Sequence, residues 1–205
     1  MDFSSDTSAP AHPLVLDALA AANAGNAPSY GGDGVSAALR EAVVALFETN
    51  DLDVWITGSG TAANALALAC LCPPTGAILC HAEAHIERDE RGAPEFFTGG
   101  GKLRLLPGAG ARIDEMALRA ALAGIDRDFV HETPPHVLSL TNLTECGTAY
   151  GPGEVAHLAA LAHDAGLSVH LDGARLANAL VSTGASLKLI SVLDHFKIKA
   201  IVGLN

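Results

Sequence analysis

The feature that most restricts this chain is a series of short apolar runs, 53–57, 77–80, 102–106, 137–141 and 167–171, set between longer segments of helical periodicity. Runs of four or five residues suit strands and are too short for self-standing helices. Strands separated by helices pair in parallel, because a tight hairpin leaves no room for a helix. The runs show little regular alternation, so they are expected to be covered on both faces, giving an α/β fold with a mostly parallel sheet between helix layers. The helical segments are 13–24, which has Pro13 in its first turn and Gly25 after its end, then 36–48, 61–71, 115–123 and 153–165. Residues 137–171 read as one βαβ unit. A further apolar run, 196–202, reads as another strand. No repeat or low-complexity linker divides the chain, so residues 1–205 read as one domain.

Composition excludes several partner classes. The formal charge is −11 and no Lys/Arg cluster occurs, so there is no basic stripe for nucleic acid or an anionic membrane. The opening Met1-Asp2-Phe3-Ser4-Ser5-Asp6 is acidic and no apolar stretch follows, unlike a secretory signal. Apolar runs are cut by Asn, Pro or charge before they reach the length of a membrane span. Cys70, Cys72, Cys80 and Cys146 form no pair of CxxC motifs, which points to reduced core thiols and no structural zinc. A cytoplasmic protein is expected.

In open α/β sheets, ligands sit beyond the carboxyl ends of the strands. After 53–57 comes Gly58-Ser59-Gly60-Thr61-Ala62-Ala63-Asn64, and small residues opening a helix let an anion approach free N–H groups. The same turn suits simple helix capping, and it lacks the lysine of a P-loop and the third glycine of a dinucleotide fingerprint. After 167–171 comes Asp172-Gly173-Ala174-Arg175. An aspartate there can pair with a protonated pyridine nitrogen, and an arginine three residues on can reach a carboxylate or phenolate oxygen. The plainer alternative is a capping aspartate and a surface arginine. His81-Ala82-Glu83-Ala84-His85 places two histidines four apart, but Glu83 stands in the wrong place for a zinc-protease motif, and no metal is expected. His85 reads better as a flat ring packed on an aromatic cofactor, or as a polar loop histidine.

Taken together, Ser5-Asp6-Thr7, Tyr30-Gly31-Gly32-Asp33, Thr57 to Asn64, His81 to His85, Ser139-Leu140-Thr141-Asn142 and His170-Leu171-Asp172-Gly173-Ala174-Arg175 occur in the order found in threonine aldolases. The chain therefore resembles the threonine aldolase and β-eliminating lyase family over roughly residues 1–185. The resemblance implies the large domain of the aspartate-aminotransferase-like fold, pyridoxal 5′-phosphate (PLP) as cofactor, and a homo-oligomer, dimer or tetramer. It implies that Gly60, Thr61 and Ala62 hold the phosphate, that His85 stacks on the pyridine ring and that Asp172 pairs with its nitrogen. Arg175 matches the contact to the ring oxygen and the substrate carboxylate. Ser5 matches a substrate-binding position, and Tyr30 matches a loop residue that reaches a neighbouring subunit's site. The implied reaction cleaves a β-hydroxy-α-amino acid such as threonine to glycine and an aldehyde.

Two departures accompany the likeness. Where many aldolases carry a histidine after the Ser-Leu-x-Asn motif, this chain has Leu143-Thr144-Glu145-Cys146, with Thr144 or Glu145 as the replacement base. The family's Schiff-base lysine precedes Gly or Asn-Gly, and Lys188, Lys197 and Lys199 do not. Alignment by Asp194, Phe196 and Gly203 puts Val202 in the lysine's place. The sequence thus reads as truncated, with the small C-terminal domain missing and turnover impaired. Two competing readings are a catalytically dead PLP- or phosphate-binding remnant acting as an interaction protein, and a nucleotide-binding α/β domain.

Overall fold

A computed structural model of the protein describes residues 10–185. The helices α1 (Pro13–Ala22), α2 (Gly34–Phe47) and α3 (Gly60–Leu71) precede the first strand, β1 (Ala77–His81). Two short helices follow, α4 (His85–Arg88) and α5 (Ala93–Phe97), then β2 (Lys102–Leu106) and α6 (Glu115–Ala123). The remainder is β3 (Pro135–Thr141), α7 (Pro152–Asp164), β4 (Ser168–Asp172) and α8 (Leu176–Thr183). The sheet has the order β2-β1-β3-β4 and every pairing is parallel.

The helix starts follow from local chemistry. Asp33 caps α2 by accepting from the Ser36 N–H at 2.8 Å, and Asp114 caps α6 through the Ala117 N–H at 2.9 Å. Pro152 occupies the first turn of α7, where its missing N–H costs nothing, and Glu154 reaches back to the Gly151 N–H at 2.8 Å.

Both sheet faces carry apolar cores. Leu79, Leu138, Leu140, Val169 and Leu171 pack against α6 and α7 through Leu118, Leu158 and Ala162. Ile78, Cys80 and Val137 pack on the other side with Leu68 and Ile86. Neighbouring residues of β1 thus enter opposite cores, as the pleat requires.

Two expectations need correction. Coverage on both faces holds for β1 and β3 but not for β2, where Lys102, Arg104 and Leu105 are exposed. Among the described residues β2 is an edge strand paired only with β1, and charged residues there discourage further pairing. The run 53–57 forms no strand: it pairs with none of the sheet strands, and Trp55 and Ile56 lie 72% and 77% exposed. Apolarity signals that a segment favours burial, but a strand also needs a partner backbone, and none of the described residues supplies one. The expected strand at 196–202 and the lysines Lys188, Lys197 and Lys199 lie outside the described residues. No helix among those described is long and apolar enough to cross a membrane.

Candidate active site

Four pieces of backbone converge at the carboxyl ends of the strands: the start of α3, the turn into α4, the loop after β3 and the end of β4. β4 ends on Asp172, which is 5% exposed. Its Oδ1 accepts the Ala174 N–H at 3.0 Å and its Oδ2 accepts from Asn64 Nδ2 at 2.9 Å. The first bond folds the Gly173-Ala174 turn back on the acid, and the second ties the strand end to α3. Two oxygens with two lone pairs each leave the carboxylate capacity for another donor.

The loop after β3 is held to the same strand end. Asn142 N–H donates to the Asp172 carbonyl at 3.0 Å, while the Asn142 side chain brackets the Tyr150 backbone at 3.1 and 3.2 Å. Glu145 is thereby set beside Arg175, whose Nη2 donates to Glu145 Oε1 at 3.1 Å. The His85 N–H donates to the same oxygen at 3.0 Å. Arg175 Nε and Glu145 Oε2 are buried without a hydrogen-bond partner among the described residues. Burial pushes the Glu145 carboxyl above its ordinary range, against the opposing pull of its backbone bonds and Arg175. Of the two replacement bases considered, Thr144 has its hydroxyl committed to the Gly110 carbonyl at 3.0 Å. Glu145 is the freer group.

His85 opens α4 with its ring partly exposed, and its Nδ1 lies 2.9 Å from Glu90 Oε1. That hydrogen bond raises the imidazole pKa, and partial burial works against it. His81 ends β1 and does not share a helix with His85. Its ring is occupied by the Gly108 carbonyl at 3.1 Å and the Glu83 N–H at 3.0 Å, a structural role. The acid of the His-x-Asp motif is preceded by His170, which is fully buried, bonded to Ser139 Oγ at 2.9 Å and shifted to a lower pKa by desolvation.

The glycine turn starts α3 at Gly60, one residue earlier than the sequence suggested, with Ser59 as its cap. Ser59 Oγ accepts the Ala62 N–H at 3.2 Å, so Ala62 is engaged while the Gly60 and Thr61 N–H groups have no intrahelical carbonyl. A Cβ on Gly58 or Gly60 would meet nothing within 4 Å. That helix end is open to an anion, and none of the described residues is packed over it.

The fold therefore brings together His85, Asp172 and Arg175. Tyr30 is fully exposed in a turn with positive φ, and Ser5 lies outside the described residues. Sequence reasoning passed over Glu90 and gave Asn64 no role of its own. Glu90 sits in Glu87-Arg88-Asp89-Glu90-Arg91, which reads as a solvated charge run, yet its side chain is fully buried. Ligating atoms of His85, Glu90 and Asp172 lie within 4.8 Å of one another, as in a metal site. The Asn64 amide, donating to both carboxylates, accounts for their closeness without an ion.

A buried acid at a strand end, a partly exposed histidine and an open helix start thus lie at the carboxyl end of a parallel α/β sheet. The chain matches the beta-eliminating lyase family over residues 2–201, and it belongs to that family. It is 39% identical over 184 residues to a low specificity L-threonine aldolase of Pseudomonas aeruginosa, covering 90% of this chain and 52% of that protein. A Saccharomyces cerevisiae counterpart is 29% identical over 188 residues, covering 91% of this chain and 47% of the other. The solved structure of Leishmania major threonine aldolase superposes with a TM-score of 0.83 at 30% identity, over 92% of this chain and 54% of that one. The chain spans about half the length of the curated relatives it matches.

Proposed function

We propose that this chain carries the PLP-binding part of a threonine aldolase-like enzyme, whose reaction splits a β-hydroxy-α-amino acid into glycine and an aldehyde. The observation that carries the reading is the convergence of buried Asp172, partly exposed His85 and incompletely satisfied Arg175 beyond one edge of the sheet. These residues fit PLP. Asp172 would accept from the pyridine nitrogen, His85 would pack on the ring, and Gly60 and Thr61 with the first turn of α3 would hold the phosphate. When bound, the cofactor supplies an electron sink for the pair released as the Cα–Cβ bond breaks.

The chain's own residues would do the rest. Arg175 would bind the substrate carboxylate, for which Glu145 Oε1 stands in as the present partner. Glu145, with its carboxyl pKa raised by burial, would take the β-hydroxyl proton on Oε1 once the substrate carboxylate draws Arg175 away from it. Lys188, Lys197 and Lys199 do not match the family's context, and we expect turnover by this chain to be negligible. The relatives' threonine aldolase names favour this reading over a nucleotide-binding domain. A homo-oligomer is part of the proposal, supported by the exposed apolar residues of α1 and α2.

The test is a PLP titration followed by fluorescence in wild type and Asp172→Asn. Loss of one charge-assisted hydrogen bond should weaken binding by about 1.5–3 kcal/mol. Equal affinities would remove Asp172 from the ring site.

A further inference from the structure

Glu90 has an arrangement that a merely buried residue would not need. Its side chain is 0% exposed, and one oxygen, Oε1, takes both Asn64 Nδ2 at 2.8 Å and His85 Nδ1 at 2.9 Å. The same Asn64 nitrogen donates to Asp172 Oδ2 at 2.9 Å. An amide NH2 has two hydrogens, one for each carboxylate. The result is a continuous chain, His85–Glu90–Asn64–Asp172, running behind the site and joining the turn into α4 to the end of β4 through α3. A buried carboxylate is costly unless its charge is used by partners. Here the partner with a titratable proton is His85.

We infer that Glu90 is a positioning residue of the ring site: it fixes the His85 imidazole in orientation and in its Nδ1–H tautomer, and through Asn64 couples that ring to Asp172. The inference rests on the ring-binding reading of His85 and Asp172 for its function, though not for its geometry. A carboxylate accepting from Nδ1 leaves Nε2 as the acceptor nitrogen of the neutral ring. Orienting carboxylates of this kind set which imidazole nitrogen carries the proton. The charged groups around His85 are Glu90 and Asp89 from the segment after α4, Asp172 from β4, and Glu145 from the loop after β3, which accepts the His85 N–H. Among the described residues, only Glu90 is hydrogen-bonded to the ring. The raised His85 pKa, with the Glu90 bond as its largest cause, agrees with that arrangement.

Nitrogen-15 NMR of the histidine side chains tests this without requiring turnover. In the wild-type chain, neutral His85 is expected as the Nδ1–H tautomer, and a dominant Nε2–H tautomer would overturn the inference outright. In Glu90→Gln, the His85 midpoint should fall below the wild-type value, and PLP should bind several-fold more weakly. An unchanged midpoint and tautomer in a variant with native circular dichroism would also overturn it. Should Glu90→Gln fail to fold, the wild-type tautomer alone decides. If wild type shows the Nδ1–H tautomer but binds no PLP, the ring-binding reading fails while the positioning geometry stands.

Discussion

Residues 10–62 and residues 63–185 use their apolar side chains in opposite ways. In the first stretch no described residue is buried; Leu14, Leu16 and Leu19 on α1 are more than half exposed, as are Trp55 and Ile56. In the second, Leu68, Ile78, Leu79, Leu118 and Leu138 are completely buried. Yet both stretches form capped helices from Ala- and Leu-rich sequence. The difference teaches that helix formation here is local, set by caps and propensity, whereas burial needs an opposing surface. For α3 to α7 the sheet is that surface. For α1 and α2 none of the described residues supplies it; the proposed homo-oligomer would, from a second copy.

The sharpest way to test the contrast is to truncate one leucine on each side. Leu138→Ala, in the middle of β3 with its side chain in the larger core, should cost about 2–5 kcal/mol in denaturant unfolding. A loss much smaller than that would mean the sheet core is not where stability resides.

The part of the site built from residues 63–185 should respond to pH through His85. Its folded pKa is raised by Glu90, so this stabilisation is fully present below the unfolded value of about 6.5 and is lost as pH rises through the folded value. Glu90→Gln should therefore destabilise the protein more at pH 6 than at pH 8.5, by denaturant midpoints at the two pH values. A gap that widens toward high pH would contradict the pairing. His170 acts in the opposite sense, because desolvation lowers its folded pKa and its contribution is lost on acidification. Because the Glu90 charge raises the His170 pKa as well, removing it in Glu90→Gln shifts His170 further down and adds to the destabilisation at low pH with the same sign.

On the exposed side, Leu19→Ala in α1 should change the stability of dilute, monomeric protein by less than about 0.5 kcal/mol. The same variant should reduce association in sedimentation at higher concentration. A large loss in the dilute protein would show that α1 is packed on its own chain after all.

How much of this was legible in the sequence differs along the same divide. Short apolar runs located β1, β2, β3 and β4 to within two residues, because burial and strand length act locally on composition. The same reasoning misassigned 53–57, since no sequence pattern tells whether a partner backbone is available. Asp172, Arg175 and His85 were visible as chemistry-bearing residues at strand ends. Glu90 was not, because its burial arises from a tertiary contact with Asn64, 26 residues earlier in the chain. The helices α4 and α5 were missed for a related reason: at four and five residues they are too short to show periodicity.

The proposal that this chain builds a PLP site, with none of Lys188, Lys197 and Lys199 linked to the cofactor, is tested most directly by one measurement. PLP would be added to the purified chain, the absorbance recorded, borohydride applied and the protein examined by mass spectrometry. The expected result is saturable binding of one PLP per chain, with no stoichiometric phosphopyridoxyl adduct on Lys188, Lys197 or Lys199. Absence of saturable binding would contradict the site. A single stoichiometric adduct on one of those lysines, with acetaldehyde released from threonine, would contradict the missing linkage.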